Sequence, residues 1–270
     1  MQDNEMKVVV FDLDETLGQF IELGMFCDAI EHYNKRKLNF DEFYQIMEIF
    51  PEFIRPNILK ILSYLKSKKQ TGQCNKILIY TNNQGPKEWA ENIKKYFEKK
   101  LDYKLFDQVI GAYKVNGKII EKKRTTHNKS INDLLNCANL PESSKICFLD
   151  DIYHPMMEYN NVYYINMKPY TNYIPFYNMA ERYYKYNSNI ISDKSIFSKF
   201  IVNEMNKFKL RKPKKSLNEI INDEYIGKEI MEYLRDFFKK YNKRKTKKLN
   251  KKQKKKKKNN ITLKNREKEG

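Results

Sequence analysis

Three short runs constrain this chain more than any other feature: Lys7-Val8-Val9-Val10-Phe11, Lys76-Ile77-Leu78-Ile79-Tyr80 and Lys145-Ile146-Cys147-Phe148-Leu149. Each is continuously apolar and rich in β-branched residues, the pattern of a strand covered on both faces and hence of a central parallel sheet. Each also stops abruptly at polar or acidic residues: Asp12, then Thr81-Asn82-Asn83, then Asp150-Asp151. Val162-Tyr163-Tyr164-Ile165-Asn166 is a fourth candidate strand. Between the runs the apolar period becomes helical. Ile58, Ile61, Leu62 and Leu65 form one face behind Pro56, which suits a first helical turn. Trp89, Ile93, Phe97 and Leu101 recur every four residues, and Ile131, Leu134 and Leu135 follow Asn128 or Ser130 as a cap. Strands alternating with helices predict an α/β fold with a parallel sheet between helical layers, and ligands in such sheets bind outside the carboxyl ends of the strands.

Two insertions interrupt the alternation. Residues 19–50 read as a flap with one or two short helices, Phe43, Ile46, Met47 and Phe50 making their apolar face. Residues 113–120 read as a small hairpin around Asn116-Gly117. The core is expected to span residues 1–180, a helical extension 181–241, and a disordered lysine-rich tail 242–270 that includes eight residues of K-K-Q-K-K-K-K-K. The net charge of +19 belongs mostly to that end. Residues 201–270 carry 25 basic and 9 acidic side chains, against 28 and 25 in residues 1–200. The tail has three readings: a solvated low-complexity end, a nuclear localisation signal, or a patch for nucleic acid or another polyanion. No aromatic residue interleaves its lysines, which disfavours base stacking.

Cys27, Cys74, Cys137 and Cys147 lie far apart with no C-x-x-C pair, so free thiols in a reducing compartment are expected rather than a disulfide framework or a zinc site. No apolar run approaches the roughly 18 residues of a membrane span, and the first residues lack the apolar stretch of a signal peptide. The expected setting is cytoplasmic or nuclear, without a membrane partner.

Bringing the strand ends together juxtaposes Asp12, Asp14, Asp150 and Asp151, carboxylates that cannot share a cleft without positive charge among them. An oxygen-only set of this kind suits Mg²⁺. In a strand-to-loop turn, residues two apart can project to one side, so one carboxylate can attack while the other handles a proton. Asp12 is then a nucleophile toward phosphorus and Asp14 a general acid and base, with an aspartyl-phosphate between the two half-reactions.

D-L-D-E-T-L at 12–17, the strand ending in Thr81, a later lysine at a helix start and F-L-D-D at 148–151 together resemble the four ordered motifs of haloacid dehalogenase (HAD) superfamily phosphatases. The resemblance covers roughly residues 6–170. Within the superfamily, the D-L-D-E-T-L wording and F-I-R-P-N at 53–57 look most like the NLI-interacting-factor-like, or carboxy-terminal-domain, phosphatases. Asn57 stands where that subfamily usually has the glycine of R-P-G, and Thr81-Asn82-Asn83 stands where it has T-x-[SA]. The resemblance implies a three-layer Rossmann-like core with small helical or flap insertions and no large cap domain. It implies Asp12 as nucleophile, Asp14 as general acid/base, and Mg²⁺ held by Asp12, the Asp14 backbone carbonyl and Asp150, with Asp151 beside the metal site. Thr81, Asn82 and Asn83 would hold phosphate oxygens. Lys129 is the choice for the third-motif lysine, with Lys114, Lys118, Lys122 and Lys123 as competitors.

Some neighbours have plainer expected roles. Glu15 shapes the first loop and Thr16 braces it, Cys147 is a buried inert thiol, and Trp89 belongs to the core. His127 and His154 read as surface or local hydrogen-bonding residues, with metal or proton transfer as the alternative. Neither insertion leaves room for a large cap, and an open cleft points to a phosphorylated macromolecule, a protein first and a polynucleotide end second. The contrasting reading is a weakly catalytic scaffold that binds protein or nucleic acid.

Overall fold

The computed structural model describes residues 5–208 and 215–266, with side chains through Tyr241. Strand β1 (Lys7–Phe11) leads into an insertion of two helices, α1 (Ile21–Asn34) and α2 (Phe40–Ile49), followed by α3 (Ile58–Gln70) and β2 (Lys76–Tyr80). Next come α4 (Lys87–Leu101), β3 (Gln108–Ile110) and the pair β4 (Lys114–Val115) and β5 (Lys118–Ile119). Helix α5 (Ile131–Ala138), β6 (Lys145–Asp150) and β7 (Val162–Asn166) complete the alternation, and α6 (Phe176–Asn187), α7 (Lys194–Asn206) and α8 (Leu217–Arg266) follow.

Five strands form one sheet in the order β3-β2-β1-β6-β7, every neighbouring pair parallel. The fold is α/β with this sheet flanked by helices, an arrangement compatible with a Rossmann-like core. The continuous apolar runs account for it. Val8, Val10, Leu78, Tyr80, Ile146 and Phe148 form one core with Ile131, Leu134, Cys137 and Ala138 of α5. The alternate residues Val9, Phe11, Ile77, Ile79, Cys147 and Leu149 point to the other face and are equally inaccessible. Burial of both faces is why no polar residue interrupts these strands. All four cysteines are free and buried, and among the described residues no helix is long and apolar enough to cross a membrane.

The insertion folds as two amphipathic helices. Phe43, Ile46, Met47 and Phe50 are buried as expected, and Asn39 with Glu42 makes a reciprocal capping box at the start of α2. Asn116 and Gly117 both take positive φ, 48° and 78°, which gives the β4–β5 hairpin the twist of a primed turn. Helix α3 begins at Ile58 rather than at Pro56, because Asn57 adopts φ 65° just before it. Asparagine is among the few side chains that tolerate this region, so Asn57 can take it without a glycine. Ser130, not Asn128, caps α5 by accepting the Asp133 N–H. Trp89 departs from the expected core: α4 buries Ala90, Ile93, Tyr96 and Phe97, while Trp89 is half-buried and lines a cavity.

Helices α6 and α7 pack on the insertion. Tyr183 of α6 meets Phe26 of α1 at 5.6 Å, and Phe197 of α7 meets Tyr33 at 5.0 Å, both edge to face. The helical region starts at Phe176, five residues before the expected extension. Contacts divide the chain into two compact units, Met1–Ile230 and Met231–Gly270, and α8 contributes to both. Within the second, Phe237 packs against Phe238 and Tyr241. The tail expected over 242–270 lies outside the residues whose side chains are described.

Candidate active site

The parallel register brings the ends of β1, β2 and β6 to one edge of the sheet, and the expected residues meet there. Asp12 directly follows β1, and its N–H donates to the Leu149 carbonyl, extending the β1–β6 pairing to the site itself. The Asp12, Asp150 and Asp151 carboxylates each offer an oxygen within 4.8 Å of the others. Lys129, just ahead of α5, is buried and ion-pairs with both Asp12 and Asp150, the latter at 2.6 Å. Its Nζ lies 5.7 and 5.9 Å from the centroids of the Tyr80 and Phe148 rings. The competing lysines are elsewhere: Lys118, Lys122 and Lys123 are exposed, and Lys114 is half-buried in the hairpin.

In this cluster two buried carboxylates share one ammonium, which leaves a surplus of negative charge. Burial pushes the Asp12 carboxyl up to about 7, against the pull of Lys129 and with the Asp150 charge adding to the push. Burial also works against ionised Asp150, but the His154 hydrogen bond and Lys129 outweigh it and hold this carboxyl below its ordinary value. The same residue thus keeps its charge where Asp12 holds its proton more readily. Asp150 Oδ1 further accepts the Ile152 N–H at 2.9 Å.

Asp14 stands apart from that cluster. Its Oδ2 accepts a 2.7 Å hydrogen bond from Asn83 Nδ2, while its buried Oδ1 has no hydrogen-bond partner. Burial raises its pKa, partly offset by the Asn83 bond. A carboxyl with one oxygen held and the other unsatisfied is suited to exchanging a proton with a ligand. Asp151 takes the Thr16 hydroxyl at 3.0 Å and returns its own N–H to Thr16 Oγ1 at 3.2 Å. Thr16 therefore ties the first loop to the last and braces it as expected.

The Thr81-Asn82-Asn83 segment is divided by role. Thr81 is buried and its Oγ1 accepts the Asn83 N–H at 3.0 Å. The Asn83 amide is committed at both ends, with Nδ2 on Asp14 and Oδ1 on the Gly85 N–H. It positions Asp14 instead of standing free for a phosphate oxygen. Asn82 is exposed, and its Oδ1 accepts from Arg124 at 2.8 Å. That bond fixes the amide orientation, so the Asn82 NH₂ group is the end left to donate.

Two residues, Arg124 and Arg55, were given no role from sequence, and His154 makes a local hydrogen bond of the kind expected of it. Arg124 is buried and donates to four acceptors: the Thr81, Gly111 and His127 carbonyls and Asn82 Oδ1. It joins the loop after β2 to the segment that delivers Lys129. In Lys122-Lys123-Arg124, nothing but the guanidinium's fork of donors distinguishes it from its neighbours. Arg55 is buried and donates to the Thr16, Glu15 and Lys168 carbonyls, so the R-P-N segment clamps the first loop. His154 is buried, with Nε2 3.3 Å from Asp150 Oδ2, whereas His127 is exposed against Tyr113. Gly18 completes the first loop. A side chain there would meet the Phe53 carbonyl at 2.4 Å, because the chain passes close to itself where Gln19 N–H bonds that oxygen.

The all-oxygen set of Asp12, Asp150 and Asp151 fits a hard divalent cation, and the set contains no sulfur or imidazole that would favour a softer ion. The Asp14 carboxylate is not part of it. No family profile, curated protein or solved structure matches this chain.

Proposed function

We propose that this chain is a HAD-type phosphoester hydrolase that works through an aspartyl-phosphate and acts on a phosphorylated protein. The observation that carries the reading is Lys129 paired with both Asp12 and Asp150, with Asp14 held separately by Asn83. It provides a nucleophile beside a fixed cation and a second carboxyl free to exchange a proton.

In the first half-reaction the ionised Asp12 carboxylate attacks phosphorus. The ester P–O bond breaks, and the leaving oxygen takes the proton from Asp14. In the second half, Asp14 receives a proton from water as that water attacks phosphorus, releasing phosphate and regenerating Asp12. Lys129 balances negative charge between Asp12 and the incoming phosphoryl group, and fixed charge of this kind is usually the largest catalytic contribution. Thr81 and the Asn82 amide, whose oxygen is held by Arg124, would donate to phosphoryl oxygens. Asp12, Asp150 and Asp151 would hold Mg²⁺, which supplies Lewis-acid withdrawal of charge from those oxygens.

The small size of the insertions supports a macromolecular substrate. Two helices, α1 and α2, and a single 3-10 turn at Pro51–Phe53 lie between the first motif and α3, and one helix, one short strand and a hairpin fill the gap after β2. The test is phosphate release by the wild type and Asp12→Asn with Mg²⁺ or EDTA, offering phosphoserine, phosphotyrosine and 3′-phosphorylated oligonucleotide substrates. Mg²⁺-dependent release from a peptide, reduced more than tenfold by Asp12→Asn, is expected. Faster release from the oligonucleotide would move the assignment to a polynucleotide end phosphatase. Absence of release from all three would leave the scaffold reading.

A further inference from the structure

We propose that the cavity between α1, α2 and α4 receives a large apolar or aromatic side chain of the substrate peptide, close in sequence to the phosphorylated residue. This rests on the phosphoprotein phosphatase reading and specifies what that site selects.

The cavity measures about 660 Å³ and is walled by Phe20, Gly24, Met25, Phe43, Asn83 and Trp89. Its size falls in the range of sites that enclose organic ligands. Asn83 is the shared wall: the residue that lines the cavity also holds Asp14. In the proposed reaction the leaving oxygen faces Asp14, so the chain carrying the ester emerges beside Asn83. A neighbouring residue on an extended peptide, one Cα spacing of about 3.8 Å away, can then turn its side chain between the two helices and α4.

Gly24 gives an independent indication. It sits inside α1 with no left-handed φ, where glycine is unfavourable relative to alanine and the backbone does not require it. A Cβ there would lie 3.4 Å from the Trp89 ring, so the glycine lets that ring approach α1 closely where both line the cavity, and a larger side chain would compete with a ligand for the space. Trp89 in turn is held edge-on by Phe43 at 5.4 Å and an 83° angle. A half-buried tryptophan presented by a fixed neighbour opposite a helical glycine provides a rigid apolar surface for a ligand.

The charges at the rim choose the occupant. Asp28, Glu31 and Glu88 line the cavity with only Lys37 and Lys95, and Lys37 is ion-paired to Glu31. A polynucleotide needs a surplus of basic groups along its path. This rim has none, whereas an apolar peptide side chain needs only the aromatic walls.

Trp89 is the one tryptophan in the chain, so its fluorescence reports directly on the cavity. The full chain carrying Asp12→Asn is titrated with a phosphoserine peptide flanked by phenylalanines, the same peptide flanked by glycines, and a 3′-phosphorylated oligonucleotide. A saturable change in Trp89 emission at roughly tenfold lower concentration of the phenylalanine peptide than of the glycine peptide is expected, the gain of burying one large side chain. Wild-type kcat/KM should show a similar preference. Gly24→Ala should reduce that preference and Gly24→Leu should bring it close to one, with thermal melts confirming that both variants fold. An unchanged preference in Gly24→Leu, equal Trp89 responses to both peptides, or a stronger response to the oligonucleotide overturns the proposal. Trp89 binding without phosphate release from any substrate would instead sink the phosphatase reading and leave the cavity assignment standing.

Discussion

The strand-end site, in which Asn83 holds Asp14, and the aromatic cavity that Asn83 lines are built on opposite principles. At the cluster, Asp12, Lys129 and Asp150 are buried and bonded to one another, and the loops that carry them are fixed by Arg55, Thr16 and Arg124. At the cavity, Phe20, Phe43 and Trp89 meet a ligand-sized space through ring faces and edges, with ion pairing confined to the rim. Reaction chemistry tolerates little displacement, because misplacing a reacting group by an ångström costs orders of magnitude in rate. Apolar recognition is graded by area and tolerates repacking. Substitutions should therefore act steeply at the first region and gradually at the second.

The largest expected effect is at Lys129. Lys129→Met leaves two buried carboxylates without their common cation, so turnover should fall at least 100-fold. Stability at pH 8 should drop by about 3 kcal/mol, the scale for breaking a buried pair. At pH 5 the loss should be smaller, because Asp12 can protonate. Urea unfolding at the two pH values checks this, and an equal loss at both would mean that Lys129 matters for packing and not for charge.

Arg124 comes next, because it reaches the reacting groups only through the loops it joins. Arg124→Lys keeps the charge but loses the fork that spans four acceptors. A fall in kcat/KM of about tenfold is expected, together with weaker inhibition by inorganic phosphate as Asn82 loses its fixed orientation. Arg124→Met should cost more. If phosphate inhibition is unchanged while stability drops, Arg124 supports the fold alone.

The effect confined to stability, with no claim on turnover, is in its pH dependence without metal. The folded state raises the Asp12 pKa from 3.8 to about 7, so it binds a proton more tightly than the unfolded chain does. Its contribution is then fully present below pH 3.8 and is lost as pH rises through about 7. Asp14 shifts in the same direction. Asp150 shifts the opposite way, so its contribution is lost only in more acidic solution. In EDTA, Asp12→Asn should flatten the decline between pH 4 and 7, a difference that denaturant titration resolves. An identical slope in the variant would show that Asp12 titrates normally.

Much of this organisation was legible from residue type and spacing. Continuous apolar runs ending at polar or acidic residues marked three central strands, because a strand buried on both faces excludes polar side chains and its end is where they reappear. Asn116-Gly117 marked a hairpin because its turn needs two positive φ values. Lys129 could be singled out by its place before a helix, but only the fold could distinguish it from four nearby lysines, by burying it between Asp12 and Asp150.

What the sequence by itself determined is the α/β alternation and the set of carboxylates at the strand ends, since both depend on local periodicity and residue chemistry. The tertiary structure alone decided the partners. It turned the Asn83 amide to Asp14, gave Asn82 to Arg124, drew His154 to Asp150, and took Trp89 from the expected core to a cavity wall. The physical reason is that these pairings join segments from separate elements, and which donor meets which acceptor is set by strand order and helix packing, which local sequence does not encode.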